Sequence, residues 1–195
     1  MLALLAGPSP AKGSGGSGSD VAVAGPQAPE RTVEFPDRRA WTVQGGLAWA
    51  IGNSNKVIFV PRGFVHDSTS VPPTLWSLAS HTDAAVVHDY LYWAQPCSRL
   101  QSDNLLMIAM EQAGVAWVRR QLVFRAVRAE GEAVWRRNAD ERAIGMPRIN
   151  PYGHVPEGLT WPQLRARMFH DGIRDVRHEV SDEFCRLGNT REAPR

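Results

Sequence analysis

The sequence predicts an α+β fold, in which a small N-terminal antiparallel β-meander precedes a mainly helical half carrying a pair of site helices. Two observations predict it. Between Arg31 and Val60, short β-type runs are separated by the turn residues Gly45-Gly46 and Asn53-Ser54-Asn55. Beyond Pro73, apolar residues recur three and four apart over segments long enough to be helices.

The β-type runs are Thr32–Phe35, Ala40–Val43, Leu47–Ile51 and Lys56–Val60, and Pro61-Arg62-Gly63-Phe64 closes the last of them. In HDSTSVPP at His66–Pro73, the two prolines suit a helix start with Ser70 as N-cap, opening a short helix over Pro73–Ala79. A second helix covers Thr82–Ala94, with Thr82 as N-cap and Asp83 beside the positive helix end. After the break at Gln95–Ser98, Ser102 caps a third helix, Asp103–Gln112, which Gly114 ends.

A longer helical segment follows at Ala116–Arg137, with Val118, Leu122, Phe124, Val127 and Trp135 as its core residues and Gly131 as an interruption. Its arginines read as a solvated face, with an anionic surface as the functional alternative. Trp117, Trp135 and Trp161 are expected to anchor a core or an interface. Pro147–Gly158 is a loop, and Thr160-Trp161-Pro162-Gln163 is a capping box that opens a helix running to about His170. Gly172–Cys185 gives a last, weakly amphipathic helix, and Leu187–Arg195 a polar tail.

This pattern divides the 195 residues into a flexible Gly/Pro/Ser-rich tail at 1–30, an α+β domain at 31–137 and a helical extension at 138–195. No window approaches the roughly 20 apolar residues of a membrane span, and Met1–Ala6 is too short and lacks the basic leader of a signal peptide. Synthesis in the cytoplasm is therefore expected. A net charge of +2 gives no basis for a nucleic-acid partner. Two cysteines, Cys97 and Cys185, make neither a disulfide framework nor a metal motif, so free thiols in a reducing compartment are expected.

The residues that suggest chemistry lie in TDAAVVHDYLYW, Thr82–Trp93. As a helix this stretch sets Ala85, His88, Asp89 and Tyr92 on one stripe, and Asp103 opens the next helical segment. His88 is expected to reach Asp103 across the helix pair, while Asp89, about 100° round the helix, faces the Gly63–Ser70 loop. The plainer alternatives are a buried polar network for His88, Asp89 and Asp103, an Asx-type turn for Asp67, and an anchored core aromatic for Tyr92. A metal cluster of His66, His88 and Asp89 is a further alternative.

Three blocks carry a resemblance to a phage- and prophage-associated domain family of unknown function, the DUF1353 type. They are VPRGFVHDSTSVPPTLW at Val60–Trp76, AAVVHDYLY at Ala84–Tyr92 and SDNLLMIAMEQAGV at Ser102–Val115. His66 stands where that family usually has threonine, and Ser102 where it often has alanine. The resemblance implies a phage-type protein made in the bacterial cytoplasm and associated with a virion or tail.

The HDxxY of His88, Asp89 and Tyr92 also resembles the active-site helix of phospholipases of the A-two class. That resemblance implies His88 as general base, Asp103 as the carboxylate orienting it and Asp89 as a calcium ligand. The loop with Asp67 and Ser70 would supply further oxygens, and His66 and Tyr92 would complete the site. The expected function is hydrolysis of phospholipid esters at a membrane surface, assisted by Ca2+. The alternatives are a non-enzymatic virion or tail protein bound to phage structural partners, and a metal-dependent cell-wall hydrolase.

Overall fold

The computed structural model describes residues 32–67, 83–176 and 181–194. Ser70, the helix expected over Pro73–Ala79 and the Thr82 cap lie outside those residues.

The fold is α+β, as the sequence predicts: five short strands, β1 (Thr32–Glu34), β2 (Trp41–Val43), β3 (Leu47–Ala50), β4 (Val57–Val60) and β5 (Val65–His66), precede four α-helices. The strands do not form one meander. β1, β2 and β5 make a three-stranded antiparallel sheet, and β3 pairs only with β4 in a separate hairpin. The added strand, β5, is the reason: Pro61 and the positive φ of Gly63 turn the chain back, so that His66 pairs opposite Trp41 rather than extending the hairpin.

The helices are α1 (Asp83–Ala94), α2 (Arg99–Gln112), α3 (Trp117–Ala143) and α4 (Trp161–His170). α2 begins a turn earlier than expected. Its cap is Ser98, which forms a reciprocal capping box with Gln101, whereas Ser102 lies inside the helix and donates its hydroxyl to the Ser98 carbonyl. α4 starts at the expected capping box of Thr160 and Gln163.

α3 is continuous through Gly131. A Cβ there would meet the Tyr92 hydroxyl, so the glycine permits close approach of α1 instead of breaking the helix. The buried stripe of α3 is Val123, Val127, Gly131 and Asn138, while Val118 and Leu122 point to solvent, against the expectation that they are core, and so does Trp117. Asn138 donates to the Tyr92 carbonyl, and Arg142 to the carbonyls of Trp93 and Ala94, which satisfies the last turn of α1.

The main core packs the β3–β4 hairpin against α1, α2 and α3 through Trp49, Ile58, Val60, Leu91, Leu105, Ile108 and Val123. A smaller core sets α4 on the three-stranded sheet, with Trp161, Leu164 and Met168 against Phe35, Ala40 and Val65.

The C-terminal part differs most from expectation. No helix forms among the described residues of 172–184; a short 3-10 helix, Cys185–Asn189, follows instead. The expected polar tail around it is docked. Asn104 donates to the Gly188 carbonyl at 2.7 Å, Asn53 N–H donates to the Pro194 carbonyl at 3.0 Å, and Phe184 enters the main core. The cysteines are not free thiols: Cys97 and Cys185 form a disulfide across a separation of 88 residues, with Cα atoms 5.3 Å apart. Sequence spacing could not reveal this pair, because only docking of the chain end on α2 brings the two together.

No described helix is long and apolar enough to cross a membrane.

Candidate functional site

The site rests on three helices. His88 and Tyr92 stand one turn apart on α1, Arg99 and Asp103 one turn apart on α2, and Arg128 lies on α3. Their side chains converge on the Asp103 carboxylate. His88 Nε2 lies 3.0 Å from Oδ1, and the Tyr92 hydroxyl donates to the same oxygen at 2.7 Å. Arg128 Nη1 donates to Oδ2 at 2.6 Å, and Arg99 Nη1 is 3.6 Å from it. The expected contact between His88 and Asp103 is therefore present.

Both of those side chains have 0% exposure. Burial alone would raise the Asp103 carboxyl, but hydrogen bonds from His88, Tyr92 and Arg128 outweigh it and hold the group below the usual carboxylate range. The Tyr92 hydroxyl shifts the other way, well above an ordinary phenol, first through burial and then through the negative charge of Asp103. Asp103 is thus an anion at neutral pH with acceptor capacity on both oxygens. In the neutral imidazole, the proton then belongs on Nε2 toward that anion. Tyr92 is fixed further by a tilted ring contact with His88 at 4.3 Å and an edge contact with Trp135 at 5.1 Å.

The other expected residues lie on α1, on β5 and just after it. Asp89 is buried beside His88 on α1. His66 is buried on β5, its ring stacked on Trp41 at 5.6 Å. The Asp67 carboxylate is 3.1 Å from Arg148 Nη2, and Arg148 Nε also donates to the Val65 carbonyl. Arg148 and Arg165 both lie over the Trp93 ring, and Arg165 pairs with Glu141 at 2.7 Å. Asp175 accepts from the backbone N–H groups of Arg148 and Ile149, so this second polar cluster ties the chain after α3 to β5.

Arg99, Arg128 and Arg148 were not legible as site-associated residues from the stripe on α1. Arg99 had a local signal, since it stands four residues before Asp103 on one helix. Arg128 and Arg148 had none, because their partners are brought to them by tertiary packing.

Comparison with known families bears on the same residues. Residues 41–127 match the model of a family described as a protein of unknown function, DUF1353. The match spans His66, Asp67, His88, Asp89, Tyr92, Arg99 and Asp103, and stops one residue short of Arg128. No curated protein and no solved structure matches the chain.

Proposed function

We propose that this chain is a small hydrolase in which His88 acts as general base, with phospholipid esters as its substrate class. The single observation carrying this reading is the His88–Asp103 contact at 3.0 Å, with Tyr92 on the same carboxylate oxygen. Such a carboxylate fixes the imidazole tautomer and stabilises the imidazolium formed on proton uptake. His88 would take a proton from water, the resulting hydroxide would attack the ester carbonyl, and the departing alcohol would receive the proton. Asp103 and Tyr92 act as positioning residues.

Two of the loop oxygens named for calcium have other partners. Asp67 is paired to Arg148, and the Gly63 carbonyl accepts from the Asn150 N–H at 2.7 Å and from the Thr42 hydroxyl. Among the described residues no group of three His, Cys, Asp or Glu is placed to hold a metal ion.

A second reading has its own support. His88 and Asp103 are wholly buried, and Arg128 neutralises Asp103 from a third helix. A network of that kind suits a non-enzymatic virion or tail-associated protein, in which it fixes the packing of α1, α2 and α3.

The deciding assay is fatty-acid release from mixed phospholipid vesicles, with calcium and then with chelator, alongside thermal melts. The hydrolase reading expects His88→Gln to lose about 10²–10⁴-fold in rate while it still folds. A wild type without turnover under either condition, together with an unstable His88→Gln, decides for the structural protein.

A further inference from the structure

The first turns of α3 expose apolar side chains that the fold does not use. Trp117, Val118 and Leu122 are 64%, 62% and 47% exposed. Val118 and Leu122 are one turn apart on the side of α3 opposite its buried stripe of Val123, Val127 and Gly131, and Trp117 stands at the helix tip. Exposed Arg119 and Arg125 flank them, and neither is ion-paired to an acid among the described residues, whereas neighbouring Arg120 is held by Glu111 at 3.1 Å.

We infer that this helix tip is a docking surface for an anionic lipid bilayer, with Trp117, Val118 and Leu122 entering the headgroup region and Arg119 and Arg125 facing lipid phosphates. The occupant follows from charge and size. Two unneutralised guanidiniums beside an apolar tip complement a negative surface. Three side chains fall well short of the roughly 800 Å² per partner that a stable protein interface buries. Peripheral attachment needs less, because a few inserted apolar groups act together with the field of anionic headgroups. The indole of Trp117 suits that zone, being apolar with one N–H donor. This surface does not depend on His88 being a base: vesicle binding is read without turnover, so either reading can fail alone.

The test is co-sedimentation of the full chain with vesicles of equal phosphatidylcholine and phosphatidylglycerol, and with phosphatidylcholine alone. Binding is expected on the anionic vesicles, to be at least about tenfold weaker on neutral ones, and to fall as salt rises from 0.1 to 1 M, roughly the range over which screening shortens from 10 to 3 Å. Arg119→Gln with Arg125→Gln should weaken it by about 25-fold, near fivefold per arginine. Trp117→Ser with Val118→Ser and Leu122→Ser should abolish it while the melt holds, since all three side chains are exposed. Absence of wild-type binding to anionic vesicles overturns the proposal, as does unchanged binding by the folded triple variant. A wild-type dimer in solution that the triple variant converts to monomer also overturns it, assigning the tip to a second copy.

Discussion

Gly131 of α3 sits directly against the Tyr92 hydroxyl of α1, so the helix carries no side chain where that hydroxyl turns toward Asp103. The glycine sets the spacing of the two helices and thereby the geometry of the network. Tyr92 is fully buried between Gly131, Trp135 and His88, and its ring has nowhere to withdraw.

Gly131→Ala should therefore destabilise the protein. In an exposed helix interior the same change would gain up to about 1 kcal/mol from propensity. Here the new methyl would meet the Tyr92 hydroxyl and lie 3.2 Å from two ring carbons. Overpacking of this kind costs about 1–3 kcal/mol, so after that gain a net loss of up to about 2 kcal/mol is expected in urea melts. Tyr92→Phe in the same background should recover part of it. A more stable Gly131→Ala protein would show that α1 and α3 are not held at this distance.

Asp103 should give the protein an acid-sensitive stability. Its folded-state pKa lies below the unfolded value, so its stabilisation is present in full above the ordinary aspartate pKa near 4 and is lost as pH falls through the folded value. Asp103→Asn should cost about 2–3 kcal/mol at neutral pH, because it breaks the part-buried ion pair with Arg128 and disturbs the bond to His88. It should also flatten the acid limb of the stability profile. Melts from pH 7 to pH 2 on both proteins check this, and parallel profiles would rule out Asp103 as the source.

The disulfide should matter for the chain end as well as for global stability. Closing a loop of this length restricts the unfolded chain, and its loss costs roughly 2–5 kcal/mol. Cys97→Ser with Cys185→Ser should lower the melting temperature and raise amide exchange in 181–194 more than in α1. Wild-type protein in a reducing agent should match the double variant. Equal melting temperatures with and without reductant would show that the docked segment holds without the bond.

His88 offers a sharper contrast when read beside Asp103. His88→Gln keeps a donor near Asp103, so the fold should tolerate it better than Asp103→Asn, by about 1–2 kcal/mol in the melts. If Asp103→Asn proves the milder change, the imidazole rather than the carboxylate organises the network.

The α+β class, the helices around the HDxxY stripe and the capping box at Thr160 were legible before any folding, because they rest on signals within one or two turns of chain. The pairing of His88 with Asp103 was legible for a similar reason, since a short break between two largely buried helical segments favours their lying side by side. Locally strong signals also misled. Ser102 had the chemistry of a cap but lost to Ser98, whose box with Gln101 starts the helix a turn sooner. Gly131 had the composition of a break, and only its contact with Tyr92 explains an unbroken helix. Tertiary structure alone decided that Arg128 neutralises Asp103, that Arg148 takes Asp67, and that Cys185 returns to Cys97. Those partners lie tens of residues apart, and no periodicity encodes them. They meet because burying one set of apolar faces fixes where every attached charge and thiol must lie.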